Sequence, residues 1–331
     1  MIDLIQANNG TMTMADLQSY KIVSRQPLSI DYRGYRVFAT EAPSSGAITL
    51  SMLKTMEQYP LSDRKDSNLT THRFNEAMRF AYGARVELGD PTYTRNIEQY
   101  ESQLLSSKTA KEISRRIRDN ETQPVEAYDP SGLYTPSGSG TSHIVAVDAS
   151  GMAISSTTTL NLLFGAQIMT PGTGIILNDQ MNDFSIPGVR NEFGYVPSPN
   201  NFIAPGKRPL SSCTPVVVEH GNGTLFFTTG AAGGSRIISA TVQAVWRVIE
   251  HGMDMYGAVA EPRLHDQLMP NQVAFEYTFD NGTVASMVEK GHSVTWVRPG
   301  WSAVQAIRVR WDGSFEAVGE TRQKNSGGLS L

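Results

Sequence analysis

The chain has 331 residues, enough for one large domain or two modest ones. It is 40% hydrophobic and 18% charged with a formal net charge of −4, an ordinary globular balance that gives no reason to expect nucleic acid or an anionic membrane as a partner. No apolar run reaches the length of a membrane span and Met1 is not followed by a signal peptide, so a cytosolic protein or one lacking its targeting part is expected.

Residues 1–125 read as mostly helical. Residues 26–40 alternate around Arg33-Gly34 and predict a short hairpin. The segment 44–59 opens on Ser and Gly, places Ile48, Met52, Leu53 and Met56 on one face, and stops at Pro60. A second helix follows with Phe74, Ala77, Met78, Ala81 and Tyr82 on one stripe. The segment 97–119 predicts a third helix, with Leu104, Leu105, Ile113 and Ile117 inward; the dense basic run "SRRIR" reads as its solvated face. Residues 126–140 carry prolines and glycines without periodicity and predict a linker or exposed loop.

From Thr141 the texture changes to strands. "HIVAVD", the turn "ASG" and "MAISSTTTL" predict a hairpin. "GIILN", "TPVVVEH" and "TLFFTTG" predict further strands. "SRIISATVQAVWRVIEHG" is a helix that buries Ile237, Ile238, Thr241, Val242, Val245, Trp246 and Ile249, with Gly252 at its C-terminal cap. "QVAFEY", "HSVTWV" and "AVQAIRVRW" close the chain as strands. Runs of strands packed under helices make the fold class α+β rather than alternating βαβ.

Single Cys213 rules out a disulfide within the chain, argues against a Cys-based metal site, and reads as a small core residue. The six histidines show no metal-binding spacing, and no G-x-S-x-G nucleophile turn occurs. "GAAGGSR" (230–236) opens a helix and could hold an anion, but it lacks the lysine of a phosphate loop. Five N-x-S/T triplets, at Asn9, Asn68, Asn120, Asn222 and Asn281, point to a secreted or surface-exposed protein, although NGT also arises as a plain turn. Three polar clusters sit beside expected strands: Thr141 after the linker, "NDQMNDFS" (178–185) and "KRPLSSCTP" (207–215). Each alone reads more readily as a turn; together they suggest a site.

The segments "GTSHIVAVDASGMAISSTTTLNLLFG", "GTGIILNDQMNDFS", "PGKRPLSSCTPVVV", "GAAGGSRI" and "AVAEPRLHDQLMP" resemble the γ-glutamyltransferases, or γ-glutamyl transpeptidases. "GTMTMADLQSY", "RFAYGARVELGDP" and "LYTPSGSGTSH" resemble the end of that family's large subunit. The resemblance implies an N-terminal nucleophile hydrolase with a four-layer αββα sandwich. It implies self-cleavage between Gly140 and Thr141, leaving residues 1–140 and 141–331 as the two subunits of a heterodimer. Thr141 would be the nucleophile, and its freed α-amino group, of reference pKa about 7.7–8.0, the base. Thr159 resembles the residue that orients the nucleophile. Asn161, Gln180 and Asp183 resemble those that hold the substrate's α-amino group, an ammonium that needs acceptors with a carboxylate among them. Ser211 and Ser212 resemble the pair on the α-carboxylate. Gly233 and Gly234 resemble the oxyanion hole, where backbone amides must approach closely.

The implied substrates are glutathione and other γ-glutamyl compounds, with water, amino acids or dipeptides as acceptors and no metal or cofactor. The expected location of the full-length form is secreted or cell-surface. Met1 matches the middle of the family's large subunit, and no residue is assigned to the family's arginine that pairs with the α-carboxylate. The alternative is a truncated, unprocessed and inactive homologue. A related acylase acting on β-lactam side chains is disfavoured by "NDQMNDFS" and "PLSS", which suit an α-amino acid head group.

Overall fold

The computed structural model describes residues 1–135, 140–190 and 196–330. At its centre is a six-stranded antiparallel sheet in the order Leu28–Tyr32, Tyr35–Ala39, Val216–His220, Leu225–Ala232, Ala303–Val309, Phe315–Val318. Strands from before and after the Gly140–Thr141 bond thus share one sheet. The Arg33-Gly34 turn is where the alternation placed it, with both residues at positive φ. Ile30, Tyr32, Val37, Val216 and Val218 are buried between the sheet and the helices.

Helices Gly46–Met56, Ser67–Arg85 and Arg236–His251 form the layer on one face. The first is buried nearly all round, as its sequence requires. A side chain on Gly46 would come within 2.0 Å of the Thr40 carbonyl, so glycine lets this helix start against the strand end. The second is capped by Asp66, which accepts from the Leu69 amide at 3.0 Å. The third ends at Gly252 with φ +65°, the left-handed cap expected there.

On the opposite face, the hairpin Gly140–Val147 and Ala153–Asn161 stacks on Leu225–Ala232 and Ala303–Val309. The join is specific. The His143 ring lies so close to Gly230 that a Cβ there would stand 2.3 Å from it. His143 bonds Thr157 through Nδ1 at 2.9 Å and Ser155 through Nε2 at 3.1 Å, and Ser155 donates to the Thr229 carbonyl at 3.0 Å. Burial pushes His143 down to about 4, so the ring is neutral at pH 7. Helix layer, sheet and second sheet follow one another in the order expected of the sandwich.

Several local expectations are corrected. The single helix expected over 97–119 is two, Ile97–Leu104 and Ser107–Arg116, because the Ser106 hydroxyl accepts from the Thr109 amide and starts the chain afresh. "GIILN" is not a strand. It folds back on 166–170 through Thr170 N–H to Ile175 O (2.8 Å) and Leu177 N–H to Ile168 O (2.9 Å), around Gly172 and Gly174 at positive φ. The 126–140 linker is tied down in its first part: Asp129 accepts from three successive amides, and Leu133–Tyr134 pairs with Val196–Pro197. Its 136–139 part lies outside the described residues. Helices Met255–Ala260 and Asn281–Glu289 were not expected; Asp254 and Asp280 cap them.

Candidate active site

Thr141 stands opposite Thr159 in the hairpin, next to an irregularity that pairs Gly140 with Asn161. Their hydroxyl oxygens are 2.9 Å apart. The Thr159 hydroxyl also accepts from the Asn161 amide at 2.8 Å and donates to the Gly140 carbonyl at 3.1 Å. With its one proton spent on Gly140, Thr159 must accept from Thr141. A single hydroxyl therefore orients the Thr141 oxygen and polarises the carbonyl beside it. Asn161 holds φ +75°, a left-handed conformation that asparagine tolerates and that turns the strand into the pocket. Its side chain donates to the Asp179 carbonyl at 3.3 Å.

Gly140 is glycine for a steric reason: a Cβ would lie 2.1 Å from the Leu162 carbonyl oxygen. Gly140, placed by the sequence at the end of an expected linker, is thus closely packed within a strand; Gly138 lies outside the described residues.

A narrow pocket of about 20 Å³ collects Thr141, Thr159, Asn161, Asp183, Ser211, Ser212 and Gly234 from five separate stretches. Gln180 donates to the Asp183 carboxylate from the same short helical turn, Gln180–Asp183. Asp183 is 7% exposed, and burial pushes its carboxyl up to about 6 against the lowering effect of the nearby Arg85 charge. Ser211 is fixed through its backbone: its amide donates to Pro43 O at 2.7 Å and Ser45 Oγ donates to its carbonyl at 2.6 Å. Gly233 and Gly234 have φ +132° and +62°, and among the described residues their amides donate to no acceptor. Trp301 O would be 2.6 Å from a Cβ on Gly233, so no other residue fits there without a shift.

The residue missed in the sequence is Arg85. Its guanidinium enters the pocket and donates to Ser45 Oγ (3.0 Å), Thr135 Oγ1 (2.6 Å) and Ser212 Oγ (3.1 Å). The side chain is buried, which lowers its pKa; no ion pair reaches it among the described residues. A cation therefore does stand at the serine end of the pocket, where none had been assigned. The signal was present: Arg85 continues the buried stripe three residues after Tyr82 and four after Ala81. Tyr82 donates to Ser235 O at 2.6 Å, so the same helix end also pins the glycine turn. Cys213 lines the pocket as well; it is half-buried rather than a core residue, and burial raises its thiol pKa, which makes it a poor nucleophile.

Among the described residues, His72, Glu76 and His292 form one buried group with metal-ligand chemistry. His72 Nε2 faces the Arg118 carbonyl at 2.7 Å, so that nitrogen carries the proton and Nδ1 accepts. His292 Nε2 donates to it at 2.9 Å, and His292 Nδ1 accepts from Asn75 Nδ2 at 3.4 Å. Burial holds both rings neutral, with His292 pushed to about 3. This is a closed hydrogen-bond chain whose lone pairs are already used.

The gamma-glutamyltranspeptidase family model matches residues 1–329. The glutathione hydrolase proenzyme of Arthroderma benhamiae is 48% identical over 330 residues, 99% of this chain and 56% of that protein. The glutathione hydrolase of Aspergillus flavus is 44% identical over 99% of this chain and 56% of its own length. The chain thus spans little more than half of these relatives. Among solved structures, the cephalosporin acylase of Bacillus halodurans superposes with a TM-score of 0.82 at 24% identity over 99% of this chain and 58% of that one, a likeness of fold. The gamma-glutamyltranspeptidase of Pseudomonas nitroreducens complexed with L-DON matches with a TM-score of 0.52 at 34% identity, covering 57% of this chain and 99% of that chain.

Proposed function

The chain belongs to the γ-glutamyltranspeptidase family, and from that premise we propose that it is a self-processing γ-glutamyltransferase and glutathione hydrolase. The observation that carries this reading is the pocket: the Thr141 hydroxyl shares it with one buried anion, Asp183, and one buried cation, Arg85. That pairing complements the ammonium and carboxylate of an α-amino acid head group.

Processing begins when the Thr141 oxygen attacks the Gly140 carbonyl carbon. Thr159 takes the hydroxyl proton as its own proton moves toward the carbonyl oxygen. The C–N bond breaks as the proton on that oxygen is given up and the nitrogen is protonated in exchange, and an ester links Gly140 to Thr141. Water hydrolyses the ester and leaves Thr141 with a free α-amine. That amine is the base for turnover, because a backbone amide cannot accept the proton.

In turnover Thr141 attacks the γ-amide carbon of glutathione or another γ-glutamyl compound. Asn161 and Asp183, with Gln180 on the Asp183 carboxylate, hold the α-ammonium. Ser211, Ser212 and the Arg85 charge face the α-carboxylate. The unpaired amides of Gly233 and Gly234 stabilise the oxyanion. The amine side leaves with a proton, and a γ-glutamyl ester on Thr141 passes to water, an amino acid or a dipeptide. The two products of processing stay together because their strands interleave in one sheet. The asparagines of all five N-x-S/T triplets are exposed, which supports glycosylation and a secreted or surface location.

The test is a denaturing gel with terminal sequencing, alongside γ-glutamyl-anilide hydrolysis. Two bands are expected, the second beginning Thr-Ser-His, with cleavage and hydrolysis both lost in Thr141→Ala. One intact band without hydrolysis would favour the uncut, inactive homologue. Residual turnover in Thr141→Ala would remove Thr141 as the nucleophile.

A further inference from the structure

Across the glycine turn lies a second cavity of about 420 Å³, which the reaction above leaves unused. Arg236 and Arg298 line it, together with the rings of Tyr277, Trp296 and Trp301, and among the described residues no carboxylate does. The Arg236 guanidinium lies 4.3 Å from the Trp301 ring centroid. The ring covers one face of the cation; the N–H edges are another matter. Arg236 Nε is buried without a hydrogen-bond partner, and among the described residues neither arginine has a side-chain hydrogen bond or ion pair. His265, at the same wall, is occupied by Ser239 (2.8 Å) and Gln267 (3.1 Å), and burial holds it neutral at about 4. Arg298 is exposed, but Arg236 is half-buried with its Nε shut off from solvent, and a sealed, unpaired N–H facing a cavity is costly unless an acceptor binds there.

The place of the cavity says which anion. Arg236 follows the oxyanion turn directly: its amide donates to Gly233 O at 3.2 Å, while Gly234 lines the Thr141 pocket. Trp301 backs Gly233 from the other side. A γ-glutamyl amide with its carbonyl at this turn would put its head group into the Asp183–Arg85 pocket. Its amine substituent must leave in another direction, and Arg236 and Trp301, which flank that turn, both line this cavity. The amine half of glutathione is a dipeptide with a free carboxylate, and a dipeptide acceptor carries the same group.

We propose that this cavity is the subsite for a short peptide ending in a free carboxylate, as it departs from the donor or enters as acceptor, with Arg236 as its anchor and the aromatic rings as its walls. The proposal rests on the γ-glutamyl reading for the identity of the ligand. Its test is ligand-observed NMR on the full chain, without donor, titrated with glycylglycine and with glycylglycinamide. Glycylglycine is expected to bind. Amidation, or Arg236→Gln in a variant of unchanged thermal midpoint, is expected to weaken binding at least about tenfold, equivalent to about 1.4 kcal/mol; Arg236→Lys should recover part of it. Equal binding of acid and amide, equal binding by Arg236→Gln, or no binding by the wild type would overturn the subsite. Dipeptide binding by a preparation that hydrolyses no γ-glutamyl anilide would uphold the subsite and count against the catalytic reading alone.

Discussion

The hydroxyl of Thr159 touches both partners of the bond that the proposed processing would form, lying 2.9 Å from the Thr141 oxygen and 3.1 Å from the Gly140 carbonyl oxygen. It accepts a third contact from the Asn161 amide, so its rotation is fixed. Thr159→Ala removes the proton path and the polarising donor together. Self-cleavage should slow by about 10²- to 10³-fold, the usual cost of losing one oxyanion donor. Thr159→Ser keeps the hydroxyl and should lose far less. A time course of band appearance after purification measures both, and wild-type speed in Thr159→Ala would strip Thr159 of this part.

Gly140→Ala tests the proposed scissile bond from its other side. The added methyl would meet the Leu162 carbonyl at 2.1 Å, and that backbone has no flexible end to yield. The Gly140 carbonyl must therefore move off the Thr159 hydroxyl. The variant is expected to fold, with unchanged far-ultraviolet circular dichroism, and to remain one band on a gel. Cleavage at the wild-type rate would show that the close approach has no part in processing.

What the sequence made legible follows from the range of the forces involved. The hairpin after Thr141 and the helix ending at Gly252 are written in local periodicity and in single cap residues, and both formed as read. Thr141, Asn161, Asp183 and Ser212 were found through resemblance, and long-range packing brings them into one pocket. Arg85 escaped because a charged residue at a helix end normally reads as solvated, and only tertiary burial reveals its partners. "GIILN" misled for the opposite reason: a β-rich run makes only an isolated bridge, Ile176 to Met169, with the stretch before it instead of joining a sheet.

Substrate capture should depend on pH through Asp183. Burial raises its carboxyl to about 6 in the empty pocket, whereas an α-ammonium needs the ionised form. The KM for a γ-glutamyl anilide should accordingly rise as pH falls below about 6, by up to about tenfold per unit. The stability effect has the other sign. A folded-state value above the unfolded one makes a contribution present at low pH and lost as pH climbs through about 6. The thermal midpoint of substrate-free Asp183→Asn should show less of that loss than the wild type. A KM that keeps its acid limb in Asp183→Asn would assign the titration to another group.

Arg85 separates binding from stability. It is a buried cation whose hydrogen bonds, among the described residues, go to the hydroxyls of Ser45, Thr135 and Ser212. Such a charge is costly to bury, and an apolar side chain of similar length is often tolerated or even stabilising in its place. Arg85→Met should therefore keep the wild-type thermal midpoint or exceed it. Yet the pocket loses the only charge complementary to an α-carboxylate among its described lining residues, and Ser212 loses the donor that orients it. Loss of a charged hydrogen-bond partner is worth about 1.5–3 kcal/mol, so KM for γ-glutamyl donors should rise by about ten- to a hundredfold while kcat changes less. Arg85→Lys keeps the charge but cannot span three hydroxyls, and it should fall between the two. A lower midpoint with an unchanged KM would make Arg85 a purely structural residue and leave the carboxylate end of the pocket to the serines.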